Sequence, residues 1–214
     1  MTKLYLISPP NFELEEMKLK LEEAFKGGEI SVFQLRMKSL SPDGTYNSKP
    51  EEKLVRKAVA ELLPICHKNK CVFILNDNPK LASELNCDGV HIGEDDGNAK
   101  EAKKIMGEGK YVGVSCYASL DRAYKAGEEG ADYVAFGAFY ETQTKKPKGR
   151  PTLELLDFWQ KYTNIPSVAI GGIKVENAEP IIKAGADFIA VVTGVWDYKK
   201  GVKQAIADFN KLFV

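Results

Sequence analysis

The sequence predicts an α/β fold, a closed (β/α)8 barrel of the TIM type, built as a single domain over residues 1–214. Eight short apolar segments alternate along the chain with eight segments of helical periodicity. The apolar segments are continuous, a pattern typical of parallel strands that helices cover. A length of 214 residues suits an α/β barrel that occupies one domain. A doubly wound open sheet is the alternative, but eight strand–helix units favour a barrel.

The predicted strands and helices alternate along the chain, and most of the connections between them are short. The strands are predicted at residues 4–7, 30–35, 71–75, 88–92, 111–114, 132–136, 166–170 and 188–192. The helices are predicted at residues 13–26, 51–68, 79–85, 99–106, 120–129, 153–162, 175–184 and 202–212. One of the long connections contains Ser39–Pro50, a segment that is rich in Ser, Pro, Gly, Asn and Asp. This composition predicts a long loop and a candidate lid.

A weak internal repeat supports the barrel. Gly130-Ala131-Asp132 and Gly185-Ala186-Asp187 both lead into a predicted strand, and Asn86-Cys87-Asp88 is a degenerate third copy. A glycine at the end of a helix, followed by a small residue and Asp, is typical of a tight turn from helix to strand.

Composition limits the partners that the protein can have. The chain carries 30 basic and 30 acidic residues, a formal charge of +0. This balance favours neither nucleic acid nor an anionic membrane as a partner, so any anion site is local.

The cysteines and the apolar segments bear on the compartment. The four cysteines form no CxxC pair, and Cys66, His67 and Cys71 lack a nearby fourth zinc ligand. The apolar run near the N-terminus is too short for a signal peptide. No segment approaches the roughly 20 apolar residues of a membrane span. We therefore expect a cytoplasmic protein with reduced thiols.

Active sites of such barrels lie at the carboxyl ends of the strands, so polar residues there are candidates. Gln34, Arg36 and Lys38 follow the second predicted strand at alternate positions, which places them on one side of an extended segment. Two cations among them suit a polyanion. The alternative is a solvated strand edge.

Two carboxylates are candidate magnesium ligands. Asn76 and Asp77 follow the third strand, and Asp96 ends the Glu94-Asp95-Asp96 run after the fourth. Two carboxylates, with substrate phosphates and waters, are how Mg²⁺ is usually held. The alternative for Asn76-Asp77 is a helix N-cap. His91 lies within a strand, which favours a structural role over a catalytic one.

The remaining strand ends carry hydroxyls and glycines. Ser115 follows the fifth strand, Thr142-Gln143-Thr144-Lys145 the sixth, Gly171-Gly172 the seventh and Thr193-Gly194 the eighth. The last two positions are the usual phosphate site of these barrels, because glycines let backbone N–H groups approach an oxyanion. A polar surface loop and ordinary turn glycines are the alternatives. Together, these residues would suit two phosphorylated substrates, one of them a diphosphate with Mg²⁺.

The motifs, in this order, resemble those of the thiamine-phosphate synthase family along nearly the whole chain. The matching segments are Gln34-Leu35-Arg36-Met37-Lys38, Asn76-Asp77, residues 88–96, Gly113-Val114-Ser115, Thr142-Gln143-Thr144-Lys145, residues 169–173 and Val191-Val192-Thr193. The resemblance implies a transferase that joins a pyrimidine methyl diphosphate to a thiazole ethyl phosphate and releases pyrophosphate. It also implies that the diphosphate leaves before the thiazole nitrogen attacks.

The resemblance implies roles for individual residues. Gln34, Arg36, Lys38, Asn76, Ser115 and Lys145 would hold the pyrimidine diphosphate, with Lys145, Arg36 and Ser115 acting in catalysis. Thr142, Gln143, Thr144, Gly172, Val192 and Thr193 would hold the thiazole phosphate. Asp77 and Asp96 would hold Mg²⁺. A homodimer is expected only by analogy.

The chain departs from the family pattern at a few positions. Met37 stands where Glu is usual, Glu94 and Asp95 replace a Gln-Glu pair, and Thr193 stands where Ser is common. Tyr117 lies where many relatives carry His, which counts against a related thiazole tautomerase. That tautomerase and a non-catalytic phosphate-binding barrel are the alternative functions.

Overall fold

A computed structural model describes residues 1–41, 43–44, 46–142 and 149–213, apart from the side chain of Asn47. Eight parallel strands close into a barrel in the order β1, β10, β9, β8, β7, β6, β5, β2. They are β1 (Lys3–Ile7), β2 (Val32–Leu35), β5 (Val72–Asn76), β6 (Gly89–Ile92), β7 (Tyr111–Tyr117), β8 (Tyr133–Gly137), β9 (Ser167–Ile170) and β10 (Phe188–Val191). The predicted fold class is therefore confirmed.

Helices surround the barrel as predicted. They are α1 (Leu14–Phe25), α2 (Glu52–Lys68), α3 (Pro79–Glu84), α4 (Ala99–Met106), α5 (Leu120–Glu128), α6 (Leu153–Tyr162), α7 (Glu179–Lys183) and α9 (Val202–Asn210). No helix within the described ranges is long and apolar enough to cross a membrane.

Two predicted elements were wrong in detail, and one helix was missed. The segment 39–50, predicted to be irregular, contains an antiparallel hairpin, β3 (Ser39–Leu40) with β4 (Tyr46–Ser48). The helix predicted over 175–184 is a 3₁₀ turn, Val175–Asn177, followed by the short α7, because Pro180 starts a new helix. A further helix, α8 (Thr193–Trp196), follows β10 and was not predicted.

Successive strand residues point alternately outward to the helices and inward to the barrel axis. The outward residues belong to the main apolar core, which includes Phe33, Phe73 and Trp159. The inward residues form a second, smaller core, whose members are Tyr5, Ile7, Val32, Ile74, Tyr133, Ala135, Val168 and Ala190. Buried polar groups also lie at inward positions, namely Gln34 and His91. The barrel interior therefore becomes more polar toward the carboxyl ends of the strands.

The Gly-Ala-Asp repeat has a second function that the sequence did not reveal. Gly130 and Gly185 have φ of +91° and +88°, and Asn86 has φ of +52°, as expected for residues that end helices. The aspartate after each then reaches the preceding strand in the barrel. Asp132 Oδ2 accepts the backbone N–H of Val112 at 2.6 Å, and Asp88 and Asp187 accept those of Phe73 and Ser167 at 2.8 Å. Each carboxylate thus joins two neighbouring strands at the amino-terminal end of the barrel.

We expect Asp132→Ala to lower the free energy of unfolding by about 1.5–3 kcal/mol, because the Val112 N–H loses a charged acceptor. Asp132→Asn should lose less, since its amide oxygen can still accept that hydrogen bond. Urea unfolding followed by circular dichroism measures both. Equal losses in the two variants would show that the ion pair between Asp132 and Lys103, rather than the strand hydrogen bond, dominates.

Candidate active site

Polar side chains from β2, β5 and β6 meet at the carboxyl end of the barrel. Gln34 points inward from β2 and donates from Nε2 to Asn76 Oδ1 at 2.6 Å, across the β2–β5 pair. Beyond β2, the Lys38 ammonium forms an ion pair with Asp77, and the two side chains are 13% and 25% exposed. The backbone N–H of Arg36 donates to Ser8 Oγ at 2.9 Å, which fixes the path of the chain after β2.

The charges of this cluster act on one another. Burial lowers the pKa of Arg36, and the charge of Asp77 opposes that change. Burial also raises the pKa of Asp96, and the neighbouring carboxylate of Asp77 raises it further. A hydrogen bond from the backbone N–H of Gly93 at 2.9 Å and the charge of Lys38 act in the opposite direction. Arg36, Lys38, Asp77 and Asp96 are called the charged cluster below.

The structure separates the three consecutive carboxylates after β6. Asp96 turns toward Asp77, whereas Asp95 is exposed to solvent. Glu94 Oε1 lies 3.7 Å from Arg122 Nη1. The backbone of Asp77 has φ of +69° and donates its N–H to His91 O at 2.8 Å, which holds the two strand ends together. One carboxylate from each strand end therefore forms the pair.

The charged cluster suits a divalent cation in its donor chemistry. Burial and, after it, repulsion from the adjacent carboxylate of Asp77 raise the pKa of Asp96, and a cation between the two carboxylates would relieve that repulsion. Among the described residues, no group of three or more His, Cys, Asp or Glu side chains forms a complete metal site. Such a cation would thus need further oxygen ligands from substrate and water, as Mg²⁺ commonly does.

A second group lies where β6, β7 and β8 adjoin. Ser115 Oγ is 2.8 Å from His91 Nε2, and its carbonyl accepts from Arg122 Nε at 2.8 Å. His91 Nδ1 is 3.1 Å from the hydroxyl of Tyr133, which in turn lies 2.8 Å from that of Tyr5. His91 is only 8% exposed, in agreement with its predicted place within a strand.

The loops after β8, β9 and β10 pack against one another. The backbone N–H groups of Phe139 and Tyr140 donate to Ile170 O and Gly171 O at 3.1 and 3.0 Å. A Cβ on Gly172 would lie 2.3 Å from Glu141 O, and one on Gly194 would lie 2.5 Å from Ile173 O. The three loops are therefore contiguous.

These contacts bear on the predicted phosphate residues. They place Gly172, Thr142, Val192 and Thr193 on adjoining loops, with Thr193 exposed at the start of α8. The φ of Gly172 is +65°, and the close backbone contact alone requires glycine there. Glycine at this position is therefore not by itself a sign of phosphate. Gln143, Thr144 and Lys145 lie outside the described residues.

The sequence analysis missed several supporting residues. Tyr5 and Tyr133 were taken as parts of apolar strands, although both carry a hydroxyl at an inward position of the barrel. Two signals could have identified them: both tyrosines occupy inward strand positions, and the polar residues Gln34 and His91 lie at a similar depth in the barrel. Trp196 was also missed; its Nε1 donates to Ile7 O at 2.7 Å and anchors α8 to β1.

The chain is similar to known proteins along nearly its whole length. A family model described as thiamine monophosphate synthase matches residues 4–195. A thiamine-phosphate synthase of Rhodospirillum centenum is 45% identical over 210 residues, which cover 98% of this chain and 97% of that protein. A protein of the same name from Hyphomonas neptunium is 40% identical over 213 residues, covering 99% and 94% of the two chains.

Solved structures show the same relationship. Thiamine phosphate pyrophosphorylase from Pyrococcus furiosus superposes with a TM-score of 0.81 at 29% identity, covering 99% of this chain and 95% of that one. The 3-hexulose-6-phosphate synthase from Salmonella typhimurium, at 16% identity and a TM-score of 0.69 over 99% and 98% of the two chains, shows the shared fold alone. The chain therefore belongs to the thiamine monophosphate synthase family.

Proposed function

We propose that this protein is a thiamine-phosphate synthase, a transferase that joins a hydroxymethylpyrimidine diphosphate to a thiazole ethyl phosphate. In this reaction the bond between the pyrimidine methylene carbon and the diphosphate oxygen breaks, and its electron pair leaves with pyrophosphate. The thiazole nitrogen then supplies the pair for the new carbon–nitrogen bond. The charged cluster carries this proposal, because it combines two cations for a diphosphate with two carboxylates for a metal.

Magnesium is the proposed cofactor, with Asp77 and Asp96 as its ligands from the protein. When bound, Mg²⁺ would neutralise negative charge on the diphosphate. In the protein without metal, the Lys38 ammonium balances the charge of Asp77. We infer that Lys38 turns toward the diphosphate when the metal takes its place beside the carboxylates.

The other residues of the first site would bind and orient the pyrimidine diphosphate. Arg36 and Lys38 offer donors to the phosphate oxygens, and a buried guanidinium is a stronger donor than an exposed one because less water competes. Gln34 and Asn76 already hold each other, so each presents a fixed amide group to a ligand. These fixed groups cost little reorganisation as charge develops on the leaving group.

The adjoining loops after β8, β9 and β10 are the proposed site of the thiazole phosphate. Thr142 and Thr193 would donate hydroxyls, and the backbone N–H groups around Gly172 and Val192 would complete the binding. Lys145, with Gln143 and Thr144, would lie between the two substrates. Their roles rest on the resemblance to the family.

A tautomerase-like activity is not favoured. That reaction needs no diphosphate and no metal, and so has no use for the charged cluster. The relatives described above also carry the synthase name. We further propose a cytoplasmic enzyme, in keeping with its four unpaired, buried cysteines, and a homodimer by analogy alone.

One assay tests the proposal. Purified protein is incubated with the pyrimidine diphosphate, the thiazole phosphate and Mg²⁺, and thiamine phosphate and pyrophosphate are both measured. We expect equal amounts of the two products, and loss of both when EDTA removes the metal. A folded protein that forms neither product would contradict the proposed activity, and product in excess EDTA would contradict the metal.

A further inference from the structure

We propose that Tyr133 is a positioning residue for the reaction: with Tyr5 it holds His91 in the Nε2–H tautomer, so that Ser115 can only donate its proton to the substrate. Tyr5, Tyr133, His91 and Ser115 are called the buried relay. The inference rests on the proposed function for its substrate, although the tautomer can be tested without any activity.

Three of the four residues of the buried relay are buried in the barrel interior. Tyr5 is 2% exposed, and Tyr133 and His91 are each 8% exposed. The ring of Tyr133 occupies space that a Cβ on Gly113 would otherwise fill, since such a Cβ would lie 1.9 Å from Tyr133 Cζ. This tight packing fixes the phenol hydroxyl between Tyr5, at 2.8 Å, and His91 Nδ1, at 3.1 Å.

Counting protons decides the direction of the relay. The hydroxyl of Tyr5 has one hydrogen-bond partner among the described residues, namely the hydroxyl of Tyr133. Each phenol has a single proton to donate. If Tyr133 donated to Tyr5, the proton of Tyr5 would be buried without an acceptor. If Tyr5 and an Nδ1–H of His91 both donated to Tyr133, the proton of Tyr133 would be buried without one.

Only one arrangement gives both phenolic protons an acceptor. Tyr5 donates to Tyr133, and Tyr133 donates to His91 Nδ1. The other two arrangements leave a buried donor unpaired, which costs about 1–3 kcal/mol. Burial also raises the pKa values of Tyr5 and Tyr133, so both phenols keep their protons.

The tautomer of His91 then determines what Ser115 does. With Nδ1 accepting, Nε2 carries the proton of the neutral imidazole and donates to Ser115 Oγ at 2.8 Å. Ser115 is half-buried at the carboxyl end of β7, where the pyrimidine diphosphate would bind. Its own proton is therefore available to an acceptor atom of that substrate. Ser115 would be the residue that touches substrate, and Tyr133 would act through His91.

Nitrogen-15 NMR tests the tautomer directly, because the chain has only two histidines. His67 is exposed and pairs with Asp88, so it provides a reference signal, and His67→Gln assigns it. We expect His91 of the unaltered protein to be a single Nε2–H tautomer at neutral pH. We expect Tyr133→Phe to give a mixture with Nδ1–H. An Nδ1–H or doubly protonated His91 in the unaltered protein, or an unchanged tautomer in Tyr133→Phe, would overturn the inference.

A double-mutant cycle tests the connection to Ser115. We expect Tyr133→Phe to lower kcat about 10-fold and Ser115→Ala to lower it about 10²-fold. Adding Tyr133→Phe to Ser115→Ala should cause no further loss, because Tyr133 acts only through that hydroxyl. A further 10-fold loss in the double variant would overturn the connection. Tyr111→Phe, which removes an exposed hydroxyl at the start of β7, is the matched control and should keep full activity.

Loss of folding in the variant and loss of activity in the unaltered protein can each be told apart from failure of the inference. Tyr133→Phe leaves the hydroxyl of Tyr5 without its hydrogen-bond partner. If this single variant unfolds, the double variant Tyr5→Phe/Tyr133→Phe is measured in its place. If the unaltered protein makes no thiamine phosphate, the proposed function fails, and the NMR measurement still decides the tautomer.

Discussion

Asp96→Asn is expected to lower turnover about 10²-fold or more and to leave the fold intact. The change removes one of the two adjacent carboxylates while its amide oxygen can still accept the hydrogen bond from Gly93. The cost of burying the charge of Asp96 and its repulsion from Asp77, which both raise the pKa of Asp96, also disappear, so stability should not fall. Steady-state release of pyrophosphate, measured over a range of Mg²⁺ concentrations, gives the effect.

Asp95→Asn is the matched control for this variant. It makes the same chemical change at the neighbouring residue, which is exposed to solvent. We expect near-normal turnover and an unchanged half-saturating Mg²⁺ concentration. If Asp95→Asn and Asp96→Asn were equally impaired, the effect would come from the overall charge of the loop, and the assignment of Asp96 to the metal would be wrong.

Lys38→Gln is expected to show a different combination of effects: slower turnover, by about 10²-fold, with tighter Mg²⁺ binding to the free protein. The ammonium of Lys38 is proposed to stabilise the leaving diphosphate, and its loss slows that step. In the free protein the same ammonium balances the charge of Asp77, and its positive charge acts to lower the pKa of Asp96. Its removal leaves the two carboxylates more attractive to a cation.

Isothermal titration with Mg²⁺ alone, together with turnover measurements, separates these effects. Asp96→Asn should both weaken Mg²⁺ binding and slow turnover, whereas Lys38→Gln should slow turnover and tighten Mg²⁺ binding. Lys104→Gln, an exposed lysine on α4, is the control and should change neither. Weaker Mg²⁺ binding in Lys38→Gln would show that the lysine does not compete with the metal at Asp77.

Several site features could be predicted because the barrel imposes a simple rule. Parallel strands bring their carboxyl ends to one edge, so residues far apart in the chain must meet there. The adjacency of Asp77 and Asp96 and the pairing of Gln34 with Asn76 follow from this rule. The first was predicted by asking which polar residue follows each strand, whereas the hydrogen bond between Gln34 and Asn76 was found only in the structure. Asp96 was chosen from the run Glu94-Asp95-Asp96 without a physical reason to prefer it, because three consecutive carboxylates look alike in sequence.

Other features were invisible in the sequence because they depend on direction rather than order. A tyrosine in an apolar strand looks like a core residue until the structure shows which way its hydroxyl points, as for Tyr5 and Tyr133. The aspartate of the Gly-Ala-Asp repeat was explained by its own turn, but its carboxylate also serves the preceding strand. The hairpin in segment 39–50 was missed because its strands are two and three residues long.

The sequence by itself determined the barrel, the order of its elements and the family, since these depend on periodicity and on motifs that a linear chain displays. Only the tertiary structure decided which polar groups touch. It brought Lys38 to Asp77, turned Asp96 inward and Asp95 outward, and aligned the buried hydroxyls with His91. The reason is physical: hydrogen bonds and charge interactions depend on distances of a few ångströms and on direction, and closure of the barrel sets both.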